Sequence, residues 1–206
     1  MSELLQKIPV VQSFLGLPLY IGMEVSLGVT LLNKFSGFYG LLALFTGHPL
    51  EFLQWVFYLV SIIVIPFYGE AFSTILKPSL LTFAPVVMGF VVDSLISAIF
   101  ILYFAFQWVY LEDVKIEQVP GQDYSKSASQ SYEYGVTFFT ALGTQLVRMY
   151  FAVLAVSFYR KLVKVASIQG EVNVDDVELD LKNKRFYQRW IYKVQYQCYK
   201  FLKGKL

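Results

Sequence analysis

Of the chain's 206 residues, 56% are hydrophobic, 18% aromatic and only 16% charged, and the mean hydropathy is +0.53. Soluble domains carry about 25% charged residues, so this balance excludes an ordinary soluble enzyme and points to an all-α integral membrane protein. The net charge of +2 hides an asymmetry: eleven of the seventeen Lys/Arg lie from Arg160 onward, leaving a neutral-to-acidic body and a basic tail.

The N-terminal segment, residues 1–13, opens on a polar, weakly charged stretch, Met1 to Lys7, and lacks a basic stretch followed by a small-residue cleavage site. No removable signal peptide is expected, and the first span serves as its own insertion signal. A crossing takes roughly 20 mainly apolar residues at 1.5 Å rise each, and four segments qualify: 14–32, 50–69, 80–110 and 134–159. Between the first two, segment 33–49 contains the apolar piece 35–47, with Gly37 and Gly40, bracketed by Lys34 and His48. Its length suits a short interfacial or re-entrant helix better than a fifth crossing. Pro66 and Pro85 are expected to kink the second and third spans.

Orientation follows from the basic residues. The tail, 160–206, belongs in the cytosol by the positive-inside rule. Four crossings then place the N-terminus there too, with the short loop 70–79 that carries Lys77. The loop 111–133 becomes luminal, and its five acids (Glu112, Asp113, Glu117, Asp123, Glu133) against Lys115 and Lys126 agree with that side. Trp55, Trp108, Tyr110, Tyr132 and Tyr134 cluster at the same boundary, as an aromatic belt does. The loop has no Asn-x-Ser/Thr sequon and no dibasic pair.

Three ionisable residues, Glu24, Asp93 and Arg148, fall inside spans. Each is about 10–13 residues from its span's cytosolic end, or ~15–20 Å at helical rise, so they share a depth near the midplane. A charge there costs at least ~2.5 kcal/mol unless paired or turned inward. Asp93 and Arg148 on neighbouring antiparallel helices make the natural pair, with Glu24 a competing or third partner. Three roles stay open: a packing lock, a polar contact to a second subunit, or an ion or proton path. Gly22 with Ser26, and Ser94 with Ala98, are small residues four apart that favour close helix contact.

The run FTGHPLEFLQW, residues 45–55, holds the only histidine. Beside Glu51, His48 invites a catalytic reading, but no second histidine exists to complete a two-histidine phosphotransfer site. One histidine and one cysteine on opposite membrane faces make no metal site, and no phosphate loop or nucleophile elbow occurs. No catalytic residue, metal or cofactor is assigned. Gly47, His48 and Pro49 instead read as a luminal turn into the second span, with Pro49 at its first position and Glu51 near the positive helix end. Cys198 stands alone, so no intrachain disulfide can form.

In the tail, acids from Asp175 followed by Lys182 and Lys184 complement a helix dipole. Over 184–203, at 100° per residue, Arg185, Arg189, Lys193, Lys200 and Lys203 share an arc of about 80°. Phe186, Trp190, Val194, Cys198 and Phe201 oppose them. A basic face against an aromatic one suits an amphipathic helix on an anionic cytosolic leaflet; the alternative is a tail packed on the chain's own loops. Cys198, on the aromatic face, is a site for lipidation. A tail tethered to four spans is not expected to bind nucleic acid.

Four motifs then coincide in order: FTGHPLEFLQW (45–55), QWVYLED (107–113), SYEY (131–134) and DDVELDLKNK (175–184). With SFLGLPLY (13–20), they closely resemble the fungal regulatory subunit family of inositol phosphorylceramide synthase, over most of the chain from about Ser13 to Leu202. The resemblance implies a four-span Golgi membrane protein that is not itself an enzyme. It implies a separate catalytic partner carrying a histidine–aspartate phosphotransfer site, which moves phosphoinositol from phosphatidylinositol to ceramide in sphingolipid biosynthesis. It further implies that the tail is a surface for coat proteins. Because 111–133 lacks a dibasic pair, Golgi processing there is not expected. The competing class is a small membrane transporter or lipid carrier with Glu24, Asp93 and Arg148 lining its path.

Overall fold

A computed structural model describes residues 10–47, 52–110, 130–169 and 185–203. They form six helices: α1 (Leu19–Phe35), α2 (Gly37–Thr46), α3 (Phe52–Ser73), α4 (Leu80–Tyr110), α5 (Gln130–Gln169) and α6 (Phe186–Lys203), with no strand among the described residues. Three stretches are long and apolar enough to cross a membrane: Gln54–Ser73, Leu80–Tyr103 and Tyr132–Ile168. The chain divides into two compact units, Met1–Phe90 with Phe151–Leu206, and Val91–Tyr150.

In the first unit the entry to α1 is a tight turn. Phe14 and Leu17 exchange both backbone hydrogen bonds, at 2.9 and 2.7 Å, across Leu15 and Gly16, whose φ angles are +49° and +83°. A positive φ is cheap only for glycine, which explains Gly16. The turn lays the Phe14 ring where a Gly22 side chain would stand, and Val11 N–H donates to Ser157 Oγ at 2.9 Å. Helix α1 therefore starts at Leu19 rather than at the first apolar residue.

Helices α1 and α2 are almost continuous. Ser36 between them keeps right-handed helical angles (φ −59°, ψ −23°), and both its hydroxyl and its N–H return to the Asn33 carbonyl. Such back-bonding bends a helix without reversing it. Both helices pack on α3. A side chain at Gly28 would lie 3.7 Å from the Phe72 ring, one at Gly37 would lie 2.8 Å from Ser61 Cβ, and one at Gly40 would overlap Tyr58. As one index rises the other falls, so α1 and α2 run antiparallel along α3. Two glycines, Gly37 and Gly40, let α2 press lengthwise against α3.

The same register places Glu24 along α3: it stands one turn before Gly28, hence one turn beyond Phe72, near the end of α3 at Ser73.

The core of this unit uses Leu19, Met23 and Leu27 of α1, at helical spacing, with Tyr68, Ala71, Phe83, Val86, Val87, Leu154, Ala155 and Phe158. Phe83 and Phe158 rings meet at 5.1 Å, and Tyr68 and Phe90 at 5.5 Å. Offset aromatic pairs of this kind contribute about 0.5–1.5 kcal/mol beyond their burial. Gly89 leaves room for the Tyr68 hydroxyl. α3 continues through Pro66 and α4 through Pro85. At 40 residues, α5 is ~60 Å long, twice the ~30 Å hydrocarbon core, and it runs on past Tyr159 to Gln169.

The second unit comprises α4 from Val91 and α5 up to Tyr150, joined by side-chain contacts between antiparallel segments. Its surface is largely apolar: Leu95, Ile99, Leu102, Phe139 and Leu146 are all exposed. In water such a surface would be a liability.

Candidate functional site

Four polar residues meet inside the second unit. Arg148 Nη1 donates to Asp93 Oδ2 at 2.7 Å, with the two side chains 35% and 31% exposed. Next to them, Gln145 Nε2 donates to the Ser94 carbonyl at 2.9 Å and approaches Ser94 Oγ at 3.4 Å. Asp93 and Ser94 are adjacent on α4, while Gln145 and Arg148 lie one turn apart on α5 and so share a face. A charge-assisted bond of this length is the strong kind. Gln145 is only 6% exposed, and its Oε1 is buried with no hydrogen-bond partner among the described residues. Glu24, in the first unit, is exposed on α1.

Of the luminal turn, Gly47 is described: it closes α2 with φ +68°, the left-handed angle that glycine accepts at a helix C-terminus. His48, Pro49 and Glu51 lie outside the described residues. Among the described residues no group of three His, Cys, Asp or Glu is placed to hold a metal ion.

Helix α6 docks on the first unit. Gln195, Tyr199 and Leu202 are buried, and at 100° per residue they span an arc of about 60°. That arc lies in the gap between the basic face and the aromatic face, about a third of a turn from the centre of the aromatic one. Phe186 is 87% exposed. Trp190 is also exposed but touches Phe67, ring centres 5.7 Å apart. Arg185, Arg189, Lys193, Lys200 and Lys203 are exposed, and Lys203 Nζ sits 5.8 Å from the Tyr199 ring centre. Cys198 is half-buried at the rim of the contact, and burial pushes its thiol pKa up.

The contact centres on Glu70, which the sequence reading passed over as a loop residue. Its Oε2 accepts from Gln195 Nε2 at 2.8 Å and its Oε1 from Thr82 Oγ1 at 3.5 Å. Thr74 and Ser73 hydroxyls both donate to its backbone carbonyl at 2.8 Å. One carboxylate thus joins the end of α3, the start of α4 and the tail helix. Glu70 stands one turn after Phe67 on α3, a spacing that signals a shared contact face. Gln145 carried a similar signal, three residues before Arg148. Gln195 carried none, since it belongs to neither coloured face of α6.

The sequence profile of a family described as inositolphosphorylceramide synthase subunit Kei1 matches residues 13–127. A Saccharomyces cerevisiae protein, inositol phosphorylceramide synthase regulatory subunit KEI1, is 39% identical over 213 residues, covering 95% of this chain and 96% of that protein. The Schizosaccharomyces pombe protein of the same description is 25% identical over 183 residues, covering 82% of this chain and 75% of its own length. No solved structure matches.

Proposed function

Since the chain belongs to the inositolphosphorylceramide synthase subunit family Kei1, we propose that it works as the regulatory, non-catalytic subunit of that synthase. The observation that carries this is the 39% identity to a regulatory subunit over 95% of the chain. The match includes the membrane body and the tail alike. In this reading the phosphotransfer groups belong to a separate integral membrane partner in sphingolipid synthesis.

The protein crosses the membrane four times in this reading, with α1 and α2 together as the first crossing and α3, α4 and α5 as the others. Together α1 and α2 give ~42 Å of helix, enough to span when bent. Arg160, Lys161 and Lys164 on the extension of α5, with the basic face of α6, set the cytosolic side. The α3–α4 loop and Glu24 then lie at the cytosolic margin, and Gly47, which closes α2, lies on the luminal side of a Golgi membrane. Docked at Glu70, α6 offers its aromatic and basic faces to the anionic leaflet, with Arg185 and Lys193 also exposed for coat proteins. Lipidation at Cys198 requires the helix to lift, since docking half-buries the thiol. The transporter reading loses its path, with Glu24 at the end of α3 and Arg148 held by Asp93.

Affinity purification of the tagged chain from fungal membranes tests this directly. An integral phosphoinositol transferase should co-purify, and synthase activity should follow the complex through each step. Product formation by the chain after the partner is stripped away would contradict the reading.

A further inference from the structure

We propose that the Asp93–Ser94–Gln145–Arg148 cluster is where a membrane helix of the catalytic partner docks, through a carboxamide or hydroxyl side chain. This rests on the subunit reading above. Arg148 gives one of its five N–H groups to Asp93 and keeps an exposed edge. Gln145 Oε1 is a buried acceptor with no donor. Within hydrocarbon no water repairs such groups, and an unmet buried polar group is costly there, so a side chain brought by a second molecule would stabilise them.

The depth selects that molecule. Arg148 lies about 24 Å of helix from Tyr132 and about 17 Å from Tyr159, after which the charged extension Arg160, Lys161 and Lys164 begins. Lipid headgroups sit outside a core whose half-thickness is ~15 Å and do not reach this level. A side chain on a neighbouring transmembrane helix does. A carboxylate would compete with Asp93 for Arg148 and leave Gln145 Oε1 without a donor. A carboxamide or hydroxyl serves both groups: its oxygen accepts from the exposed edge of Arg148, and its own hydrogen goes to Gln145 Oε1, buried in the chain alone, once that side chain turns toward Arg148 and exchanges its Ser94 contacts for the partner's. Thr144, exposed one turn before Arg148, has its hydroxyl bonded back to its own helix. Its small side chain allows close backbone approach on that face.

The test compares two properties of the same variants. Gln145→Leu keeps the volume and removes the orphan acceptor; Asp93→Leu with Arg148→Met removes both charges and leaves no lone ion. Each is measured for recovery of the catalytic subunit on affinity purification, and for thermal stability of the isolated chain in detergent. Interhelical hydrogen bonds of this kind imply a loss in partner recovery of roughly tenfold, with the isolated chain as stable as wild type or more so. A drop in stability that parallels the loss of partner would overturn the proposal in favour of an internal packing lock. Unchanged recovery from both variants would overturn it for this cluster alone. Failure of the wild-type chain to recover any integral phosphotransferase would overturn the subunit reading with it.

Discussion

Gly40 has no side chain because Tyr58 of α3 occupies the space where one would stand. The clash involves the base of the tyrosine, not its flexible tip, so the two helices would have to separate. Gly40→Val is expected to cost ~1–3 kcal/mol, read as a fall in melting temperature of the purified protein by about 3–10 °C. The open site at Gly143, where a side chain would meet nothing within 4 Å, is the control, and Gly143→Ala should leave the melt unchanged or raised. At this scale the sequence was legible where one residue carried an unusual charge. The Asp93–Arg148 contact followed from two ions placed at one depth on neighbouring helices. Glu70 escaped because an acid at the end of an apolar run looks like an ordinary boundary residue; its role depends on Gln195, 125 positions away.

Among the elements, α6 shows how periodicity can be read correctly and still mislead. The basic and aromatic arcs exist as the 100° spacing implies, yet the helix packs through the face between them. Two polar-tipped residues, Gln195 and Tyr199, are buried there, Gln195 on the Glu70 carboxylate, and a hydropathy pattern does not register that. The Gln195–Glu70 bond involves a charged acceptor, a class of bond worth about 1.5–3 kcal/mol. Glu70→Ala should therefore loosen α6 and raise the maleimide reaction rate of Cys198 by about tenfold or more. The pH profile supplies the sign. Burial raises the thiol pKa, so at neutral pH the docked protein holds less thiolate than a free thiol. Its rate should climb at higher pH than in Glu70→Ala, where the profile moves down toward the ordinary cysteine range. Equal rates and profiles in the two proteins would show that α6 is not held by Glu70. The join of α1 to α2 was illegible for a related reason. Gly37, Gly40 and Lys34 interrupt an apolar run, and nothing in the run itself shows that the glycines face α3.

For the whole molecule, composition alone separated membrane body from basic tail, and the motif order identified the family before any contact was known. Which helix faces are left for other molecules depends on packing, and that only the structure shows. In the second unit α4 and α5 carry an exposed apolar surface, with the Asp93–Arg148 pair and Gln145 Oε1, unpartnered among the described residues, within it, and the proposed subunit contact is placed there. The most direct measurement is formation of inositol phosphorylceramide in proteoliposomes holding this chain alone, the catalytic candidate alone, or both. Turnover should be absent with this chain alone and highest with both. Turnover by this chain alone, or turnover by the candidate that is indifferent to its presence, would contradict its role as a regulatory subunit.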